Sequence, residues 1–267
     1  MRNEDRMQAP MPAQSTAAPS YHVPTDIVEL PSKGVFYPEG HPWRNKREVE
    51  VRYMTAKEES ILLTEAYKER GITFIKLVQS IALDQITGHE ILPGDLTAIV
   101  VNARKNAYGR EYTPNISCPF CSARQDVGID LEDVKCKTLN TEEFNERGEL
   151  EIILPILKSK ITLKLLREHD EKEIEKRIEA SLRHNLPENA LIERYRQVIT
   201  SVDGKQDLIS INNLIEAMPI KDSAFLKEKY ANMIPDISYK LEHECVKCKE
   251  TIEGGLPLTG DFFRLNQ

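Results

Sequence analysis

The chain has 267 residues, 40% of them hydrophobic and 30% charged, with 36 Lys and Arg against 43 Asp and Glu for a formal net charge of −7. That length supports one sizeable core or two smaller ones, and the acidic balance disfavours a polyphosphate partner, because non-specific nucleic-acid binding draws its free energy from cations that neutralise phosphate. No segment approaches the roughly 18 to 20 consecutive apolar residues that span a bilayer, and the first residues lack the apolar run of a secretory leader, so a reducing cytosol is expected.

Residues 1–24 carry Ala, Pro, Gln, Ser and Met with few bulky apolar groups. Ordering them would cost backbone entropy without compensating burial, which predicts a disordered tail. Residues 25–110 are expected to form an extended arm, a strand and a helical subdomain. In the arm, IVELPSKGVFYP at 27–38 mixes extended residues with Pro and Gly and suits a segment laid over a neighbour in this chain or another. Leu30, Val35, Phe36, Tyr37 and Trp43 are its candidate partner-binding side chains, because apolar groups exposed there could bury against another protein; packing within the chain is the alternative for Trp43. EVEVRY at 48–53 alternates as a half-buried strand, and Thr55 with Glu58 has the capping-box spacing of a helix running to about Lys68. Thr73 to Leu83 and Asp95 to Ala107 also place apolar residues at helical intervals, with Pro93-Gly94 breaking the chain between them.

Residues 111–135 read as a β-hairpin, with strands at 111–117 and 125–131 flanking Cys118-Pro-Phe-Cys121. Residues 136–236 hold two β-rich runs, LEIILPIL and KITLKLL, about a short turn, and then helices near 170–183, 188–201, 208–217 and 222–232. Residues 237–267 read as a second hairpin, strands at 237–244 and 250–256 flanking Cys245-Val-Lys-Cys248, with a C-terminal strand.

Two cysteines separated by two residues can turn both sulfurs toward one point while intervening amides hydrogen-bond to them, which makes CxxC a half-site for tetrahedral zinc. The halves stand 123 residues apart, far beyond the roughly 15 to 20 residues of a compact ribbon. The expected fold is therefore α+β: a discontinuous four-cysteine zinc ribbon made by two β-hairpins, with an N-terminal helical subdomain and a large, mostly helical insertion. Cys118, Cys121, Cys245 and Cys248 are the metal ligands of this arrangement and the zinc is structural. Two separate redox or disulfide pairs, and plain buried or exposed thiols, are the alternatives. Cys136 stands alone and is left unassigned. His243, two residues before Cys245, reads as a solvent-facing strand histidine, with replacement of a cysteine or a hydrogen bond to a thiolate as alternatives. Ser122 and Lys249 follow the second cysteine of each pair where glycine is frequent, so each turn must avoid or tolerate a positive φ. No phosphate-cradling glycine loop or zinc-protease motif occurs, and no enzymatic activity or small-molecule substrate is expected. Arg44, Lys46, Arg47 and Arg52 offer a modest foothold for nucleic acid, which keeps a nucleic-acid-binding ribbon as a further alternative.

Taken in order, ELPSKGVFYP at 29–38, RYMTAKEESIL at 52–62, LPGDLTAIVVNARKNAYGREY at 92–112, CPFC, VDGKQDLISINNLIEAMPIKDS at 202–223, CVKC and LPLTGDFFRL at 256–265 resemble the baseplate hub assembly proteins of T-even-like contractile-tailed bacteriophages. The resemblance runs over most of the chain from about Ile27. It implies a virus-encoded factor that binds baseplate hub or other tail proteins in host cytoplasm during assembly, as a chaperone or as a minor built-in subunit of the virion baseplate, without catalysis.

Overall fold

The structure is a computed structural model that describes residues 22–87, 91–183, 189–258 and 262–263; the disordered tail expected over 1–24 lies almost wholly outside them. Strand β1 (Thr25–Glu29) pairs antiparallel with β2 (Glu48–Arg52), from Thr25↔Arg52 to Glu29↔Glu48, and the alternation of EVEVR buries Val49 and Val51. Residues 30–47 join these strands as a long loop. The exposed, partner-binding arm expected there is instead folded back into the chain's own core. Leu30, Phe36, Tyr37 and Trp43 are each at most 3% exposed, and Val35 is partly buried against the same cluster. The physical reason is that large aromatic groups gain most by burial, and here their polar ends also find partners. Trp43 Nε1–H donates to Asp84 at 3.0 Å, and Tyr37 stacks on His41 with ring centroids 4.2 Å apart. The loop closes on Gly34, whose φ is +71° and where a Cβ would lie 2.3 Å from the carbonyl oxygen of Trp43.

The capping box of Thr55 and Glu58 opens α1 (Ala56–Leu63), but Thr64 then leaves helical geometry and a separate short α2 (Glu65–Glu69) follows. Glu58 is fully buried. It accepts from both Arg52 Nη atoms at 2.6 and 2.9 Å, from Ser80 Oγ at 2.6 Å, and from Thr55 Oγ1 and N at 2.7 and 2.9 Å. Burial alone would raise its pKa, yet these donors, led by Arg52, hold the carboxyl at about 2.

Helix α3 (Thr73–Ile81) buries Leu77, Val78 and Ile81, and α4 (Pro93–Tyr108) runs through the middle of the core. Pro93 and Gly94, expected as a break, form the first turn of α4, where the fixed φ of proline suits the helix and its missing N–H is no loss. Asp95 in the same turn is fully buried and fastens the loop. It accepts from Ser32 N at 2.9 Å, Ser32 Oγ at 2.6 Å and Tyr37 OH at 2.7 Å, close to the positive end of the helix. Farther along α4, the buried Arg104 guanidinium donates to the carbonyls of Phe262 (2.7 Å), Gly109 (3.0 Å) and Glu111 (3.3 Å), so one side chain binds the C-terminal segment to the start of the first hairpin.

That hairpin comprises β3 (Glu111–Tyr112), β4 (Asn115–Ser117), β5 (Arg124–Asp126) and β6 (Ile129–Asp130), paired β3 with β6 and β4 with β5 in one unbroken register. After β7 (Lys135–Cys136), β8 (Leu150–Ile153) and β9 (Lys160–Leu163) form the predicted pair. Helices α5 (Glu168–Arg183) and α6 (Ala190–Val198) follow, and the chain then turns into β10 (Ile199–Val202), which completes a three-stranded antiparallel sheet in the order β10-β9-β8. The helix expected over 188–201 thus ends early. Helices α7 (Leu208–Ala217) and α8 (Ile220–Met233) lead to β11 (Ile237–Ser238), and β12 (Leu241–Glu244) pairs with β13 (Thr251–Gly254). Strand β11 departs from the hairpin expected for it and pairs antiparallel with β7, Ile237 opposite Cys136. The return is steered by Gly94: a Cβ there would lie 2.1 Å from the carbonyl oxygen of Pro235 and 2.9 Å from Asp236 Cα.

Gly94→Ala should therefore destabilise the fold by about 3 kcal/mol, the upper end of ordinary overpacking, because the facing atoms are backbone and cannot rotate away; urea unfolding measures it. For Glu58, the folded pKa of about 2 lies below the ordinary 4.5, so the unfolded chain binds more protons between these values and the group's contribution to stability is lost as pH falls through that window. The urea midpoints of wild type and Glu58→Gln should accordingly differ most above pH 4.5 and converge toward pH 2.

Candidate metal centre

Each CxxC occupies the tip of a hairpin, and the two tips are built alike. Cys118 N donates to Ala123 O at 2.8 Å while Ser122 N returns to Cys118 O at 2.9 Å; Cys245 N donates to Glu250 O at 2.9 Å while Lys249 N returns to Cys245 O at 3.0 Å. This reverse turn requires a left-handed residue after the second cysteine. Ser122 (φ +57°) and Lys249 (φ +64°) adopt it, so of the two options open to the sequence the chain tolerates the positive φ.

The tips converge. All four sulfurs lie within 4.8 Å of one another, with Cys118 Sγ 3.6 Å from Cys248 Sγ and Cys121 Sγ 3.7 Å from Cys245 Sγ. A tetrahedral ion with bonds of about 2.3 Å, the length zinc makes to thiolate, has ligand–ligand edges of about 3.8 Å. These two contacts match that edge. Both cross from one hairpin to the other, as a shared centre requires and as two separate CxxC disulfides would not, and all five cysteines are free thiols. The four residues could thus hold one metal ion. Cys118 and Cys245 are buried, Cys121 and Cys248 partly so, and Ile116, Ala123 and Ile252 pack against them.

The local field favours thiolate at one sulfur and resists it at the next. Backbone N–H groups of Cys248 and Lys247 point at Cys245 Sγ and hold its thiol below the usual range. Cys248 receives the N–H of Glu250, yet burial and the sulfurs of Cys121, Cys245 and Cys118 drive its thiol above that range. Crowded thiols of this kind ionise together only around a cation, because each new negative charge opposes the next.

The two tips are also latched directly. Gln125, on the inward face of β5 in line with Val127 and Ile129, accepts the N–H of Val246 through Oε1 at 2.9 Å. Sequence inspection passes over this residue, although a glutamine in phase with two buried apolar positions is the visible signal. His243 is partly buried with its Nε2 shielded from solvent, so the solvent-facing strand histidine expected is not what the structure holds. At the outer ends, Phe120 and Val246 remain 64% and 65% exposed.

Other sequence candidates lie elsewhere. Cys136 sits in β7, its Sγ 3.5 Å from Glu29 O, and burial followed by the Glu29 charge pushes its thiol up to about 11. It is no part of the four-sulfur cluster. Three members of the basic group are committed within the chain: Arg44 to the carbonyls of Tyr37 and Glu146, Lys46 to Asp84, and Arg52 to Glu58. That removes most of the foothold for a phosphate backbone.

The family described as T4 bacteriophage base plate protein matches residues 24–264. No curated protein and no solved structure matches the chain.

Since glycine occupies the left-handed region without the Cβ clash, Ser122→Gly and Lys249→Gly should each raise stability, by about 0.5–1 kcal/mol once the greater freedom of the unfolded glycine is subtracted. Denaturant midpoints of the two variants check this, and a loss of stability in both would mean that the turn geometry is not as described.

Proposed function

The chain belongs to this family of T4 bacteriophage base plate proteins, and from that membership we propose that it is an assembly factor of the phage tail baseplate hub that works by binding other tail proteins, with one structural zinc ion in a discontinuous zinc ribbon. The observation that carries the zinc assignment is the meeting of four sulfurs from two remote hairpins at spacings suited to a tetrahedral ion. Cys118, Cys121, Cys245 and Cys248 would supply all four ligands. Such a set leaves no position for water or substrate, and the ion then acts as a staple and not as a Lewis acid. Apparent binding free energies for structural zinc are on the order of 10 kcal/mol or more, enough to outweigh the entropy of closing a chain segment as long as the one between the half-sites.

A metal site closed by four thiolates supports action by contact in host cytoplasm during assembly, without enzymatic activity. The family's description as a base plate protein favours a second reading, a permanent minor subunit of the virion baseplate. The large side chains of the segment from Leu30 to Trp43 are already buried within the chain, which favours a partner surface elsewhere.

Purified protein should contain one zinc per chain, and Cys118→Ser or Cys245→Ser should lose the metal and unfold at markedly lower denaturant; elemental analysis and urea titration read both outcomes. Affinity capture from infected cells should recover a tail component, and its absence in repeated captures would remove the assembly reading. Mass spectrometry of purified particles separates the two modes of action, since stoichiometric peptides in mature tails indicate a built-in subunit.

A further inference from the structure

The cross-strand pair one step below each tip is Ile116↔Gln125 in the first hairpin and His243↔Ile252 in the second. Both isoleucines pack against the cysteines. The polar members therefore occupy opposite strands of their hairpins, and each keeps a buried ring or amide nitrogen, His243 Nε2 and Gln125 Nε2, without a hydrogen-bond partner. Gln125 is the more telling of the two, because the whole residue is only 7% exposed. A buried amide left half-satisfied is costly, and few native side chains are kept that way without a reason. Its Oε1 is already engaged by the N–H of Val246, the residue after Cys245, at 2.9 Å. That bond fixes the carboxamide across the gap between the hairpins, against the residue that follows Cys245, with its NH2 group hydrogen-bonded neither to a sulfur nor to any other acceptor among the described residues.

Four thiolates around a divalent cation retain net negative charge, and outer N–H donors are what such a centre gathers. Resting on the metal centre proposed above, we infer that Gln125 is a positioning residue of that centre: its carboxamide latches the second tip through Val246, and its N–H would turn to the thiolates once an ion is bound. Backbone N–H groups of Lys247, Cys248 and Glu250 approach the sulfurs of Cys245 and Cys248 from within the second tip. Gln125 adds a side-chain donor from the opposite hairpin, so ion binding and hairpin docking reinforce each other.

Two variants of the full chain separate the parts of this role. Gln125→Glu keeps an acceptor for Val246 while removing the donor and adding negative charge; Gln125→Met keeps the length and neither polar function. Zn2+ and Co2+ affinities, measured by competition with a chromophoric chelator, and the sulfur-to-cobalt charge-transfer spectrum are the readouts. Wild type that binds neither metal would refute the centre itself, and this inference with it. Given wild-type binding, both variants are expected to bind about 10- to 100-fold more weakly and to shift the cobalt spectrum, with unchanged helical circular dichroism. Gln125→Glu that matches wild type in affinity and spectrum would reduce the residue to a latch and overturn the inference. If that variant does not fold, Gln125→Met decides alone: wild-type affinity with an unshifted spectrum overturns the inference, and weaker binding with a shifted spectrum supports it.

Discussion

The close approach of Pro235 and Asp236 to Gly94 is the constraint on which the cysteine cluster depends. A chain that leaves β7 at Cys136 must return to the same place, and the space left by one missing Cβ sets where it lands. From that landing β11 pairs with β7, and a few residues later β12 begins the second hairpin beside the first. Any side chain at position 94 would hold the returning strand away from α4, and the sulfurs of Cys245 and Cys248 would move with it. The four-sulfur cluster is thus specified by backbone packing far from the cysteines as much as by the cysteines themselves.

Helix α4 gathers the other chain segments in the same way. At its first turn Asp95 fastens the loop of residues 30–47 through Ser32 and Tyr37, and near its end Arg104 fastens Phe262 and the start of the first hairpin. Both charges are buried without an oppositely charged side chain among these hydrogen-bond partners. Asp95 is satisfied by hydroxyl and amide donors, which oppose but do not outweigh the effect of burial in raising its pKa. Arg104 is satisfied by carbonyls and lies over the ring of Tyr108, its charge centre 5.1 Å from the centroid. Such sites are specific: a buried charge met by fixed partners accepts few other arrangements, so the segments they hold have one place to go.

Much of the molecule was legible in the sequence where a local rule decides. The capping box of Thr55 and Glu58, the alternation of EVEVR and the spacing within each CxxC all produce the local structure they imply. Patterns that two structures share misled. Tyr195, Val198, Ile199 and Val202 are all buried and fall at helical intervals, yet the chain leaves the helix after Val198 because a β-branched run there can pair with Leu163 on β9. The segment around Trp43 has the composition of an exposed anchor and of a core loop alike. Only the positions of Asp84 and Asp95, remote in sequence, decide that it turns inward. Gln125 was missed for a similar reason, since the N–H that it accepts belongs to Val246 on the other hairpin.

The separation of the half-sites along the chain has a temporal side. During synthesis the first tip is available while the helical insertion is still emerging, and two sulfurs alone hold an ion weakly. The remaining pair leaves the ribosome only after the 123 residues between the half-sites have been made, and it can meet the first only if the intervening helices have already packed and brought Pro235 home. A securely held ion would then mark a chain that has been made through the second half-site and correctly assembled, and an interrupted or misfolded copy would surrender it to any competing chelator in the cell.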